Sequence, residues 1–228
     1  MLHCPAVTRL VIAVDGPSGA GKGTVARAAA RALGYRHVDT GAMYRAVAWL
    51  ALDRGTPLDA TDDIAALARA AVLDMHDGRV SIDGRDVSDV IRTPEIDRAA
   101  ALVARNPAVR SVLVDRQRAM GGEGAVVMEG RDIGTVVFPA AALKIYLDAS
   151  PEERARRRAA DPAHTGGRQG SMAHVAEDLA ARDRSDSTRR VAPLVRALDA
   201  EYIDTTGIAV DDVVARVVAL VRDKTGAP

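Results

Sequence analysis

The run Gly16-Pro17-Ser18-Gly19-Ala20-Gly21-Lys22-Gly23-Thr24 carries the strongest chemical signal in the chain. It follows a short apolar stretch, Arg9–Asp15, and opens a segment in which Val25, Ala29 and Leu33 recur at helical spacing. Strand, glycine loop and helix in that order make a phosphate cradle. Side-chain-poor residues let successive backbone N–H groups converge, the helix N-terminus adds partial positive charge, and a lysine reaches the terminal phosphates. The loop is expected to hold a nucleoside triphosphate, with Lys22 as the point charge. The plain alternative, a glycine-rich turn with its lysine in water, fits less well directly after an apolar strand. Gly23 stands where a serine or threonine hydroxyl would reach a magnesium ion, and Thr24 comes one residue late. Mg2+ is therefore expected on substrate phosphates and water, with Asp15, Glu129 or Asp132 at strand ends to orient those waters.

Such a loop serves ATPases, GTPases and small-molecule kinases alike. Transfer of a phosphoryl group onto a second phosphate brings two anions together, so cations must gather around both. Arg45, Arg110, Arg131, Arg182 and Arg189 fall in expected loops or near helix ends, where a guanidinium can grip phosphate through two N–H groups. Any one of them alone reads as a solvated helix face or a surface ion pair. Beside a phosphate loop they read as a set.

Stepwise periodicity supplies the elements that position these groups. Strand candidates are Arg9–Asp15, Tyr35–Asp39, Ala125–Met128 ending at Glu129, Leu143–Leu147 and Glu201–Asp204. Between them lie helical segments: Lys22–Leu33, the stretch around Met43, Val47 and Leu50, and Asp62–Leu73. Two consecutive helices begin at Thr93-Pro94 and Asn106-Pro107 and run to Met120, where Gly121-Gly122 is expected to break the pattern. A capping box at Ser150–Glu153 opens another helix, a further one ends near Arg184, and residues 210–222 close the chain. Asp77-Gly78 and Asp83-Gly84 bracket a small strand, giving a polar, hairpin-containing subdomain over 58–92. Short strands alternating with helices predict a three-layer α/β fold with a five-stranded, mainly parallel sheet.

Composition limits the partners. Lys+Arg and Asp+Glu are 31 each, so no overall basic field favours nucleic acid or an anionic membrane, and aromatics at 3% are too few for base-stacking platforms. No apolar run is long enough to span a bilayer. A soluble, cytoplasmic protein is expected, with residues 1–8, including His3 and Cys4, as a flexible start. Cys4 is the sole cysteine, and His37, His76, His164 and His174 are scattered, so neither a disulfide nor a metal cluster is expected.

The segments DGPSGAGKGT (Asp15–Thr24), DTGAMYR (Asp39–Arg45), GRDVSDVIR (Gly84–Arg92), EGRDIGTVVFP (Glu129–Pro139) and RDRSDSTRRVAPL (Arg182–Leu194) closely resemble those of bacterial cytidylate kinases, within the nucleoside monophosphate kinase family. The resemblance runs from about Arg9 to Val221. It implies transfer of the ATP γ-phosphoryl group to CMP or dCMP with Mg2+, in a monomer of the P-loop fold. It implies a core at 9–57, 93–150 and 191–228, a monophosphate-side insert at 58–92 and a lid at 151–190. Lys22, Arg131 and Arg182 take the catalytic roles by this likeness, and Arg154 and Arg158 approach the donor phosphates as the lid closes. Thr40 and Arg45 lie near the acceptor, while Asp132, Arg110 and Arg189 face cytosine and Asp186 faces the ribose. A kinase for UMP or AMP, or an ATP-binding module without transfer, is the alternative reading. Departures from relatives are Ala101 in place of a pocket serine, Glu129 in place of aspartate, and Ser185 and Ser187 at lid positions that are arginine elsewhere.

Overall fold

The computed structural model describes residues 10–225 apart from 77, 123 and 162–170. The expected flexible start, His3, Cys4, Asp77 of the first turn dipeptide and the polar stretch His164–Gly170 lie outside the described residues. Five strands form one sheet: β1 (Val11–Asp15), β2 (Arg36–Asp39), β6 (Val126–Glu129), β7 (Leu143–Asp148) and β8 (Glu201–Asp204), in the order β2-β6-β1-β7-β8. Every pairing in it is parallel, as the alternation of short strands and helices predicts.

Alternate residues of the strands face opposite layers. Ile12, Val14, Val127, Ile145 and Leu147 pack under α1 (Lys22–Leu33) and the closing helix α8 (Val210–Thr225). Ala13, Val38, Val126 and Met128 pack on the other side against α5 (Pro107–Gly122) and a π-helical turn at Ile133–Val137. Burial on both faces explains why these strands read as continuous apolar runs.

A second cluster lies beside the sheet. Helix α2 (Thr40–Asp53) packs one face on α3 (Thr61–Ala70), α4 (Pro94–Val103) and α5 through Met43, Val47, Ile64, Ala99 and Leu113. Its other face, with Ala46 and Leu50, meets Val80 and Ile82 of a three-stranded antiparallel sheet, β3 (Leu73–His76), β4 (Arg79–Ile82) and β5 (Arg85–Asp86), and Val87 just after it. The Asp83-Gly84 turn joins β4 to β5 with φ of 50° and 77°, as a type I′ hairpin requires. Arg85 lies 4.4 Å over the Trp49 ring and 2.6 Å from Asp53, which fixes this sheet to α2.

Three expectations need correction. The helix expected over Asp62–Leu73 ends at Ala70, because Ala71 is extended and the Val72 N–H donates to Asp83 Oδ1, drawing Leu73 into β3. A meander of three strands stands where a single bracketed strand was expected. Helix α5 does not stop at Met120 but continues through Gly121-Gly122, with Gly121 pressed against Phe138 so closely that a Cβ would sit 2.3 Å from the ring. The remaining helices, α6 (Pro151–Ala160) and α7 (Met172–Ser187), pack on each other, each opened by a serine cap, Ser150 and Ser171.

Gly121→Ala should therefore lose about 1–3 kcal/mol by overpacking. Gly122→Ala, with open space at its Cβ, should be neutral or gain up to about 1 kcal/mol of helix propensity. Urea denaturation of the two variants separates these outcomes.

Candidate active site

At the end of β1, the backbone turns away at Gly16, whose φ is 145°. A Cβ there would meet the Leu147 carbonyl oxygen at 1.9 Å, so only glycine allows the loop to leave between β1 and β7. Lys22 sits in the first turn of α1, buried, and its Nζ donates to the Pro17 carbonyl at 2.6 Å, across its own loop. Burial, helped by the neighbouring Arg131 charge, lowers its pKa to about 7. A Cβ on Gly23 would lie 3.2 Å from Glu129 Oε1. The Glu129 carboxylate, at the end of β6, thus stands where the usual hydroxyl-bearing side chain would begin, and it shares a 2.9 Å hydrogen bond with His37 Nε2.

Asp15 turns inward. Its two oxygens accept from the backbone N–H groups of Ile133 and Gly134 at 2.8 and 2.7 Å, and burial raises its pKa to about 6. It is absent from the cleft wall described below, so the water-orienting place expected for it is occupied instead by anchoring. That anchor starts the π turn and sets the direction of Arg131 and Asp132 just before it.

Carboxylates hold the arginines one by one. Asp39 caps α2 through the Ala42 N–H and accepts from Arg45 at 2.7 Å. Burial raises the Asp39 pKa, but the charges of Arg45 and His37 outweigh it and bring the value down to about 2. Asn106 caps α5 and places Arg110 in its first turn, where it pairs with Asp132 in a buried contact and lies 5.7 Å from the Tyr44 ring. Burial holds Asp132 above the usual carboxylate range despite Arg110 and Arg189. Arg131 donates to Asp186 at 2.9 Å and to Ser18 Oγ at 2.7 Å, and Arg189 lies 3.8 Å from Asp186. Asp97 of α4 meets Arg182 at 3.0 Å and Arg158 at 3.6 Å.

These groups converge on one cleft of about 730 Å³. The loop residues 18–24, Thr40, Arg45, Arg110, Glu129, Arg131, Asp132, Arg158, Arg182, Asp186 and Arg189 all line it, and so does Ala101. Gly16, Pro17, Asp15 and Arg154 do not. Arg154 instead donates to the Ser18 carbonyl at 3.1 Å and pairs with Asp183. Eleven Lys or Arg side chains against six Asp or Glu face the cleft, an excess that suits a polyanion although the chain as a whole is neutral. Among the described residues, no cluster of His, Cys, Asp and Glu could hold a metal ion by itself, and no helix is long and apolar enough to cross a membrane.

Sequence reasoning passed over Arg157, Thr205, Arg92, Asp97 and Asp183. Arg157 donates to the Thr205 carbonyl at 2.6 Å and to its hydroxyl at 2.8 Å, bracing the loop after β8 beside Ile208 and Val210 on the cleft wall. Its spacing from Arg154 and Arg158 put all three on one helix face, which was the available signal.

A sequence-family model described as Cytidylate kinase matches residues 12–223. A cytidylate kinase of Desulfitobacterium hafniense is 48% identical over 218 residues, with 94% of each chain covered. One of Pelotomaculum thermopropionicum is 49% identical over 215 residues, covering 92% of this chain and 95% of its own. Among solved structures, an uncharacterised protein from Eubacterium ventriosum superposes with a TM-score of 0.51 at 9% identity, over 93% of this chain and 98% of that one, a likeness of fold alone. The motifs, the cationic cleft and these matches agree: the chain belongs to the cytidylate kinase family.

Proposed function

We propose that the cleft transfers the γ-phosphoryl group of ATP to the phosphate of CMP or dCMP. One observation carries the reading: the glycine loop with Lys22 and a separate set of arginines line the same cavity. Several donors on those arginines, Arg45 Nε, Arg110 Nε and Nη1, and Arg189 Nε, are buried without a hydrogen-bond partner among the described residues. A buried donor left unpaired costs about 1–3 kcal/mol, so acceptor-rich ligands suit the wall they occupy.

On this reading the loop, Lys22 and Thr24 hold the donor phosphates. Arg45, Arg131 and Arg182 hold the acceptor phosphate, and Asp186 the ribose. Thr40, whose hydroxyl donates to the Glu129 carbonyl at 2.7 Å, fixes the strand end beneath the acceptor. Asp132 accepts from the cytosine amine, with Arg110 and Arg189 on the N3 and O2 side. Glu129, the carboxylate beside Gly23, would hold Mg2+ through water, and the ion would supply neutralisation of phosphate charge. No general base is needed, because the second pKa of a phosphate monoester is about 6 and the attacking oxygen is already anionic near neutrality. The protein aligns the two phosphates, compensates their charge and keeps water out. Helices α6 and α7, within 151–190, serve as the lid, and 58–92 moves with the acceptor. The protein works as a monomer with small-molecule substrates.

A coupled ADP-release assay with CMP, dCMP, UMP and AMP tests the assignment. Cytosine nucleotides should lead, and comparable turnover of UMP at low concentration would contradict it. Asp132→Asn should reduce the preference for CMP over UMP by roughly 10- to 100-fold, the value of one mispaired buried group. Arg131→Ala should cut transfer at low CMP by a similar factor, about 10- to 100-fold, more than it weakens ATP binding.

Lys22 gives a pH signature. With a pKa near 7 it is mostly neutral at pH 8, and a bound polyphosphate favours its charged form. Titration calorimetry at pH 8 in buffers of different ionisation enthalpy should show proton uptake on ATP binding, reduced in Lys22→Met. The same depression below the ordinary lysine value of 10.5 means the unfolded chain binds more protons between about pH 7 and 10.5. This group therefore contributes stability that rises with pH across that window.

A further inference from the structure

Asp183, on α7, is used by none of the roles above. Its Oδ1 accepts from the Ser18 N–H at 3.1 Å, and its Oδ2 pairs with Arg154 Nη1. Its charge is also felt at Lys22 and Arg131. The side chain is largely buried, at 18% exposure, so these are not screened surface contacts. It thus contacts a backbone N–H of the glycine loop and one arginine, with Lys22 and Arg131 within reach of its charge, donors of the kind that a phosphate group would call for.

Position along the loop says which phosphate. Lys22 and the loop take the donor, and Ser18 is the loop residue whose hydroxyl accepts from Arg131, on the acceptor side. The transferred group must lie between those two, so the Ser18 N–H faces the terminal phosphate of the donor rather than the inner ones. A carboxylate bound there carries the same sign of charge as the phosphate and uses the same donors.

We propose that Asp183 is an internal anion that holds α7 on the glycine loop and competes with the γ-phosphate of the donor for the Ser18 N–H and Arg154. Arrival of a triphosphate displaces the carboxylate and releases Arg154 to the phosphates. A diphosphate, lacking the terminal group, leaves the contact in place. The α7 contact then responds to the third phosphate specifically, and the carboxylate narrows the affinity gap between ATP and ADP by the cost of its displacement. This inference rests on the donor assignment above.

The test is the affinity of a non-hydrolysable ATP analogue and of ADP for the full chain and for Asp183→Asn and Asp183→Glu, by calorimetry. Removing the charge should tighten the analogue roughly tenfold, the scale of one like-charge contact at intermediate dielectric. ADP should change less than about threefold, and Asp183→Glu should stay near the parent. Unchanged or weaker analogue binding by Asp183→Asn overturns the proposal, as does equal tightening of both nucleotides. If Asp183→Asn fails a thermal-melt check, the parent protein decides by amide NMR. The Ser18 N–H resonance should shift strongly with the analogue and little with ADP, and equal shifts would refute the idea. Failure of the parent to bind the analogue at all overturns the donor reading itself, whereas normal binding and CMP turnover with an insensitive Asp183→Asn overturn only this inference.

Discussion

Guanidinium groups repel one another, and everything in the cleft depends on the carboxylates that keep them gathered. Asp39 holds Arg45, Asp132 holds Arg110, Asp186 holds Arg131 and Arg189, Asp97 holds Arg158 and Arg182, and Asp183 holds Arg154. The acids come from the end of β2, from α4, from the turn after β6 and, for Asp183 and Asp186, from α7, so the network can form only when the sheet, the helical cluster around α2 and the helices α6 and α7 are all in place. Desolvating so many ions is unfavourable in itself, and breaking one buried pair leaves a partner uncompensated at a cost of about 3–5 kcal/mol. The arrangement is better understood as geometry preserved for phosphate than as a source of stability.

The parallel sheet provides the platform. Asp15, Asp39, Glu129 and Asp148 all sit at the C-terminal ends of their strands, and open α/β sheets bind ligands outside those ends. From there the parts divide the work. Asp15 spends both oxygens on the backbone of the π turn, fixing Arg131 and Asp132 from below. Glu129 fills the space that Gly23 leaves, and Gly16 lets the loop pass Leu147. Small changes at these points displace charges, not only atoms, because the arginines follow the backbone that carries them.

What the sequence made legible was local. The glycine loop and the caps at Thr93-Pro94 and Ser150-Pro151 depend on neighbours within a few residues, and the continuous apolar runs of β1, β6 and β7 depend on nothing but burial on both faces. The parallel sheet was readable for that reason. The π turn was not, since its first amides are satisfied by Asp15, 118 and 119 residues away. Gly121 looked like a break because the Phe138 ring that accounts for it belongs to another element. The edge strands β3 and β5 are short and half polar, and they exist because β4 and α2 offer a partner. Of the cleft, the arginines could be named from their type and from family likeness. The acids Asp97 and Asp183 could not, because a charge pair across the fold leaves no spacing to read.

The central claim is that two nucleotides meet end to end in one cationic cleft. The most direct measurement is the affinity of a bisubstrate analogue, adenosine and cytidine joined through five phosphates, compared with ATP and CMP alone. Linking two ligands that occupy adjacent subsites should give one site per chain and an affinity about 100-fold or more beyond either part. An affinity no better than that of ATP, or binding that leaves CMP free to bind alongside, would contradict the account.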